Sequence, residues 1–290
     1  MRHPDIRWIT KKGAPGHGVD FFWEGSKYRT AEVMDCVVFG GGGLSFPAHL
    51  GALRALEEAG VTPKTYAGAS CGANVAALRV AGYMPEELHE AQKKVGGMAE
   101  VEGLLRARTG KDRPTFEDVS GATGSDLSVS TYCLTTGRTR RFSTSTDPGL
   151  GLVDVLRASC SVPLWNPPVE IDGSAYLDGG VLERLPMLDR GDPSRTLGLE
   201  LTSGDGGGTD VGAIFDRIAQ HLNEANEREF SERDYGDSVL RLLDGASLPE
   251  RGAERADEMF RVGFERTKEY LLRKAEAAMR GDETADQHAP

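Results

Sequence analysis

Four consecutive glycines, Gly40–Gly43, close the short apolar run DCVVF and lead directly into FPAHLGALRALEEAG. In that second piece Leu50, Leu53 and Leu56 recur at helical spacing, Pro47 suits a first helical turn and Gly60 a helix end. Strand, glycine turn and helix form the implied unit. A second unit follows at once. KTYAGASCGANVAALRVAGY puts a short extended run ahead of Gly68-Ala69-Ser70-Cys71-Gly72, then Ala73, Ala76, Ala77 and Val80 on one helical face. Two such units in tandem restrict the chain to an α/β fold.

Downstream, residues 84–120 read as polar helix with a loop at TGKDRPTFEDVSGATG, and LSVSTYCLTTGRTRRFSTST reads as a hairpin turning at Thr136 and Gly137. DVLRASCSVPLWNPPVEIDGSAYLDGGVLERLPM runs from a short helix through a proline-rich loop into a small hairpin and a strand, and LGLELTS is a further strand. After GDGGGTD the pattern is helical, with Val211, Ile214, Ile218 and Leu222 on one face and Phe260, Phe264, Thr267 and Leu271 on another. These C-terminal helices could pack on the sheet or serve as an interfacial lid; packing is the expectation, since neither shows an aromatic and basic face. The order predicts a three-layer α/β domain over 35–280. It is preceded by an N-terminal attachment at 1–34, with a candidate hairpin in VDFFWEGSKYRT at Gly25 and Ser26, and followed by a disordered tail at 281–290.

The formal net charge of −11 argues against nucleic-acid binding through a basic face and does not favour an anionic membrane surface. No run reaches the roughly eighteen apolar residues of a spanning helix, and the first residues lack the apolar core of a secretory signal, so a soluble cytoplasmic chain is expected. Cys36, Cys71, Cys133 and Cys160 form no C-x-x-C pair, which points to reduced thiols and neither a disulfide framework nor a zinc site.

Gly68–Gly72 is a G-x-S-x-G string where a strand should become a helix. A serine nucleophile needs such a sharp turn, and flanking glycines permit both the strained backbone and close substrate approach. The same string also suits an ordinary strand-to-helix turn with a serine cap. Gly40–Gly43, about thirty residues upstream, could converge backbone N–H groups on one oxygen as an oxyanion hole. A phosphate loop is the competing reading, but no G-K-[ST] follows, and Ser45 and Phe46 stand where G-x-G-x-x-G requires its last glycine. As bases, His221 falls in a polar-faced amphipathic helix, His288 lies in the tail and His49 follows the glycine loop on the presumed helix. All three read more simply as packed or solvated side chains. Asp178, before Gly179 and Gly180, could act directly as a base or belong to a plain Asp-Gly-Gly turn.

In order and spacing, FGGGGLSFPAHLGALRALEEAG, YAGASCGANVAAL, TYCLTTGRTRRFS and RASCSVPLWNPPVEIDGSAYLDGGVLERLP resemble the patatin-like phospholipases, from about Asp35 to Leu201. The resemblance implies a three-layer α/β/α fold with a mostly parallel central sheet. It implies Ser70 as nucleophile, Asp178 as the carboxylate of a Ser-Asp dyad without histidine, and the amides of Gly41, Gly42 and Gly43 as oxyanion hole. The family usually writes its loop G-G-G-x-R/K-G, whereas Leu44, Ser45 and Phe46 follow Gly43 here, so the basic residue and last glycine are missing. Pro47 disfavours helical geometry at Phe46, which keeps Ser45 and Phe46 in the loop.

The resulting expectation is a lipid acyl hydrolase of phospholipase A type acting on phospholipid or another acyl-ester lipid, with no metal or cofactor and with peripheral membrane contact when active. Two alternatives accompany it. One is a regulated effector, of the kind that some bacterial patatin-like phospholipases represent in anti-phage defence, switched on by a nucleotide or by homo-oligomer formation. The other is a catalytically inactive binding module.

Overall fold

The computed structural model describes residues 9–11, 20–23, 26–29, 34–92, 97–187, 195–201, 238–249 and 252–286, with no side chains described for 9–29, 92 and 278–286. In chain order the elements are β1 (Ile9–Lys11), β2 (Asp20–Trp23), β3 (Ser26–Arg29), β4 (Cys36–Phe39), α1 (Pro47–Glu58), β5 (Thr65–Ala69), α2 (Cys71–Val80), α3 (Pro85–Gln92), α4 (Met98–Thr109) and α5 (Phe116–Ser120). There follow β6 (Asp126–Cys133), β7 (Arg138–Ser143), α6 (Leu152–Ser159), β8 (Val169–Ile171), β9 (Ser174–Asp178), β10 (Thr196–Glu200), β11 (Val239–Arg241) and α7 (Ala253–Asp286). β1, β2 and β3 form a small antiparallel sheet of their own. The expected hairpin is present, with Trp23 pairing with Ser26, so Ser26 already belongs to a strand.

The main sheet runs β11-β10-β4-β5-β6-β9-β8, with β7 also on β6. β11, β10, β4, β5 and β6 are parallel, whereas β7 and β9 run antiparallel to β6. Stepping from β4 to β5 to β6 in one direction with right-handed crossovers puts α1 and α2 on the same face. Val37, Phe39 and Tyr66 point into the large core beneath those helices, while Cys36, Val38 and Ala67 alternate to the opposite face, covered by Met187, Leu185 and Val239. A sheet buried on both faces explains why CVVF is a continuous apolar run.

α7 lies on α1 at backbone distance. A Cβ on Gly51 would fall 1.9 Å from the Phe260 carbonyl oxygen, and one on Gly263 would fall 2.0 Å from that of Ala48. The face carrying Phe260, Phe264 and Thr267 is thus a packing surface, as expected, with Thr267 fully buried. The helix continues to Asp286, so the tail expected from 281 begins inside it; its sequence, AEAAMRGDETAD, is rich in the good helix formers alanine and glutamate. Two elements differ from expectation. TFEDVS is a helix, α5, where a loop was expected, because Thr115 and Asp118 form a reciprocal capping box. Val239–Arg241, within the stretch expected to be helical, is an edge strand on β10. The expected face at 211–222 lies outside the described residues.

Candidate active site

β5 and β9 abut along one edge of β6. β5 pairs with β6 as far as Ala69 opposite Ser130, and β9 takes over the same edge at the next residue, Thr131 opposite Asp178, while β7 occupies the other edge. The strands run in opposite directions, so their C-terminal ends meet. Ser70 follows one end and Asp178 is the other.

Ser70 has φ 53° and ψ −128°, a conformation that L-residues rarely adopt and that stores roughly 1–3 kcal/mol of strain. The surroundings hold it there. Its N–H donates to Ser159 Oγ at 2.9 Å, and the Ser159 hydroxyl donates to the Ser130 carbonyl at 2.7 Å. Ser70 itself opens α2, its carbonyl accepting from the Ala73 and Asn74 amides. A Cβ on Gly68 would lie 2.4 Å from the carbonyl carbon of Gly72, and one on Gly72 would lie 2.3 Å from the Phe39 carbonyl oxygen. Both glycines of the string are required by close approach of backbone to backbone.

Asp178 is 5% exposed. Its carboxylate faces the Ser70 side chain and accepts, at 2.7 Å, from the Gly180 N–H; its own N–H donates to the Ser161 carbonyl. Burial pushes the carboxyl up from 3.8 to about 6, against the downward pull of the Ser70 side chain and the Gly180 N–H. At neutral pH it is therefore an ionised acceptor with a proton affinity suited to general-base work.

The glycine loop approaches the same point, since a Cβ on Gly41 would lie 3.4 Å from that of Ser70. The amides are not equivalent. Gly40 N–H donates to the Leu199 carbonyl and Gly41 N–H to that of Arg184 at 2.8 Å, while those of Gly42 and Gly43 lie toward the Cys71 sulfur beside Ser70. Gly43–Ser45 forms a 3-10 turn and α1 opens at Pro47, so Ser45 and Phe46 precede the helix as expected. Phe46 nonetheless has helical dihedrals, φ −60° and ψ −18°: it bridges the turn and the helix and accepts from the His49 and Leu50 amides.

His49 is buried, and its Nε2–H donates to the Gly40 carbonyl at 2.8 Å; burial lowers its pKa to about 4, so it is a neutral clamp on the loop. Burial also pushes the Cys71 thiol up to about 12 and that of Cys160 upward, which removes both as competing nucleophiles. His89 is paired with Asp257 at 2.7 Å, and His221 and His288 lie outside the described residues. Sequence reasoning missed Ser159 and the clamping role of His49. Neither has a local signature, because each acts on a backbone group distant in the chain.

A strained serine between strand and helix, facing a buried carboxylate at the C-terminal edge of a mixed sheet, places the molecule among α/β proteins with a nucleophile elbow. Residues 37–101 and 98–189 match the family model described as patatin-like phospholipase, and the chain belongs to that family. It is 30% identical over 201 residues to the lysophospholipase nte1 of Emericella nidulans, covering 65% of this chain and 12% of that protein. An uncharacterized NTE-family protein of Mycobacterium tuberculosis is 30% identical over 165 residues, 52% of this chain and 44% of its own. The chain thus spans less than half the length of either relative. The crystal structure of VipD from Legionella pneumophila shares the fold, with a TM-score of 0.58 and 13% identity over 93% of this chain and 71% of that one.

Proposed function

We propose that this chain is a lipid acyl hydrolase that releases ester-linked fatty acid from phospholipid or lysophospholipid through a Ser70–Asp178 dyad. The observation that carries the reading is that β6 sets the elbow serine against a buried carboxylate whose pKa is raised to about 6. Asp178 accepts the Ser70 proton as Oγ attacks the ester carbonyl. The carbonyl oxygen takes up negative charge opposite the Gly42 and Gly43 amides, and collapse of the tetrahedral species expels the alcohol, which receives the proton from Asp178. Water, deprotonated by Asp178, then cleaves the acyl-serine and restores the free hydroxyl. A fluorophosphonate probe should label Ser70 alone, and fatty acid should be released from lysophosphatidylcholine; labelling elsewhere with no release overturns the proposal.

One observation favours a gated form of the same activity. The Gly41 N–H is held by the Arg184 carbonyl, so a hole built from all three amides of Gly41, Gly42 and Gly43 needs residues 183–184 to shift. Esterase activity that rises on adding a nucleotide, or in step with self-association, supports gating; full activity of the isolated monomer defeats it.

A further inference from the structure

Besides the strand and turn at 174–184 that carry Asp178, Glu183 and Arg184, three segments surround the site: 36–53, 65–78 and 158–169. None of these three contains an aspartate, glutamate, lysine or arginine, in a chain where 27% of residues are charged and the net charge is −11. The one titratable base among them, His49, is buried and neutral. At the site's mouth these uncharged walls carry large apolar side chains pointing outward. Leu44, on the turn that follows Gly43, is 86% exposed; Leu164 and Trp165, on the loop that leaves Ser161 beneath Asp178, are 78% and 56% exposed.

Leu164 is a second anomaly. It has φ +76°, a left-handed conformation that a branched side chain adopts only at a cost. A leucine that is both strained and exposed gains nothing for the fold at that position. The loop around it, PLWNPP, is stiffened by three prolines and offers no charge.

We infer that Leu44, Leu164 and Trp165 form an interfacial docking rim that inserts into the surface of a zwitterionic lipid layer and seats the mouth of the site on it. The proposal rests on the lipid-hydrolase reading for its choice of occupant. The arrangement favours lipid over protein: exposed side chains on two short turns suit a fluid that closes around them, whereas a stable protein partner needs about 800 Å² of fitted surface. Tryptophan with exposed leucine is also the composition favoured at a membrane interface. The charge selects the lipid. An uncharged rim on an acidic chain gains nothing from anionic headgroups, so phosphatidylcholine is the surface it fits.

The test uses the full chain, vesicles of phosphatidylcholine alone, and a soluble short-chain ester. In the double variant Leu164→Asn/Trp165→Ser, asparagine tolerates the left-handed backbone, so the loop keeps its shape. Its partition onto vesicles should fall by at least about tenfold relative to wild type, while hydrolysis of the soluble ester stays unchanged. In a Trp8→Phe/Trp23→Phe variant, which leaves Trp165 as sole tryptophan, brominated phosphatidylcholine should quench the fluorescence. Equal partition of wild type and double variant, or an unquenched Trp165 on bound protein, overturns the inference. So does a wild type that ignores vesicles and loses a dimer when the two residues are replaced, which would assign the rim to a second copy of this chain. A wild type that binds vesicles through Trp165 yet leaves the soluble ester intact upholds docking and defeats the hydrolase reading alone.

Discussion

Ser70 and Asp178, separated by more than a hundred residues of sequence, are brought together because the strands that carry them meet tip to tip along one edge of β6, with Ala69 opposite Ser130 and Asp178 opposite Thr131. The proposed nucleophile and its proposed base are thus placed by the register of a single central strand. That arrangement differs from a triad assembled by a mobile histidine loop, and it makes specific demands on mutants.

Ser70→Ala and Asp178→Asn should each lower fatty-acid release by on the order of 10³-fold or more, with little added loss when combined, because the two groups act on one proton. Steady-state kinetics on lysophosphatidylcholine, with circular dichroism as the folding control, reads the outcome. Additive losses would show two independent roles.

The rate should depend on Asp178 ionisation. kcat/KM is expected to rise with pH through an inflection near the Asp178 value of about 6 and to level off above it. His49, lowered to about 4, is neutral throughout that range and cannot supply the inflection. A His49→Gln variant should therefore keep the same pH profile while losing rate; a displaced inflection would assign the titration to the wrong group here.

Asp178 should also set a pH-dependent stability cost. Its folded pKa, about 6, lies above the ordinary 3.8, so the native state holds the proton more tightly than the unfolded chain does. The penalty is absent below about pH 4, develops between 4 and 6 and is complete above. Asp178→Asn should accordingly unfold with on the order of 2–3 kcal/mol more stability than wild type at pH 8, the difference closing at pH 4. Urea melts at the two pH values measure it.

Backbone strain at Ser70 separates two inactive variants. Ser70→Ala keeps a Cβ at φ 53° and keeps the strain, whereas Ser70→Gly removes it. The glycine variant should be the more stable of the two by about 1 kcal/mol, in the same direction as the ordinary preference for glycine over alanine at a helix N-cap. Equal thermal midpoints would mean that the elbow is not strained in solution.

Ser159 supports that elbow from behind. Ser159→Ala leaves the half-buried Ser70 N–H and the buried Ser130 carbonyl without this partner, at about 1–3 kcal/mol of stability. Turnover should fall while KM stays near wild type, since Ser159 meets the turn and not the acyl chain. A change in KM alone would place it against substrate instead.

Much of this was legible without coordinates. Tandem strand–glycine–helix units announced the α/β class, and the blocks around Gly40, Ser70 and Asp178 marked the family. Gly68 and Gly72 are required by contacts of about van der Waals radius or less that any tight elbow imposes. Local physics sufficed there because each feature lies within one turn of backbone. The short β11 and the helix α5 were misjudged for opposite reasons. VLR is a strand only because β10 offers an open edge, whereas α5 depends on the Thr115–Asp118 box, a local signal in a stretch otherwise typical of loops.

The sequence by itself determined which residue types stand at the elbow, in the loop and at the end of β9, since each answers to the geometry of its own turn. Only the tertiary structure decided that Asp178 is buried enough to shift its pKa, that Ser159 and His49 hold the elbow and the loop, that the Gly41 amide is already engaged by Arg184, and that Leu44, Leu164 and Trp165 face outward. Solvent exclusion and hydrogen-bond partnership are properties of what lies across space from a residue. The order of residues along the chain encodes them only through the complete packing of the sheet and its helices.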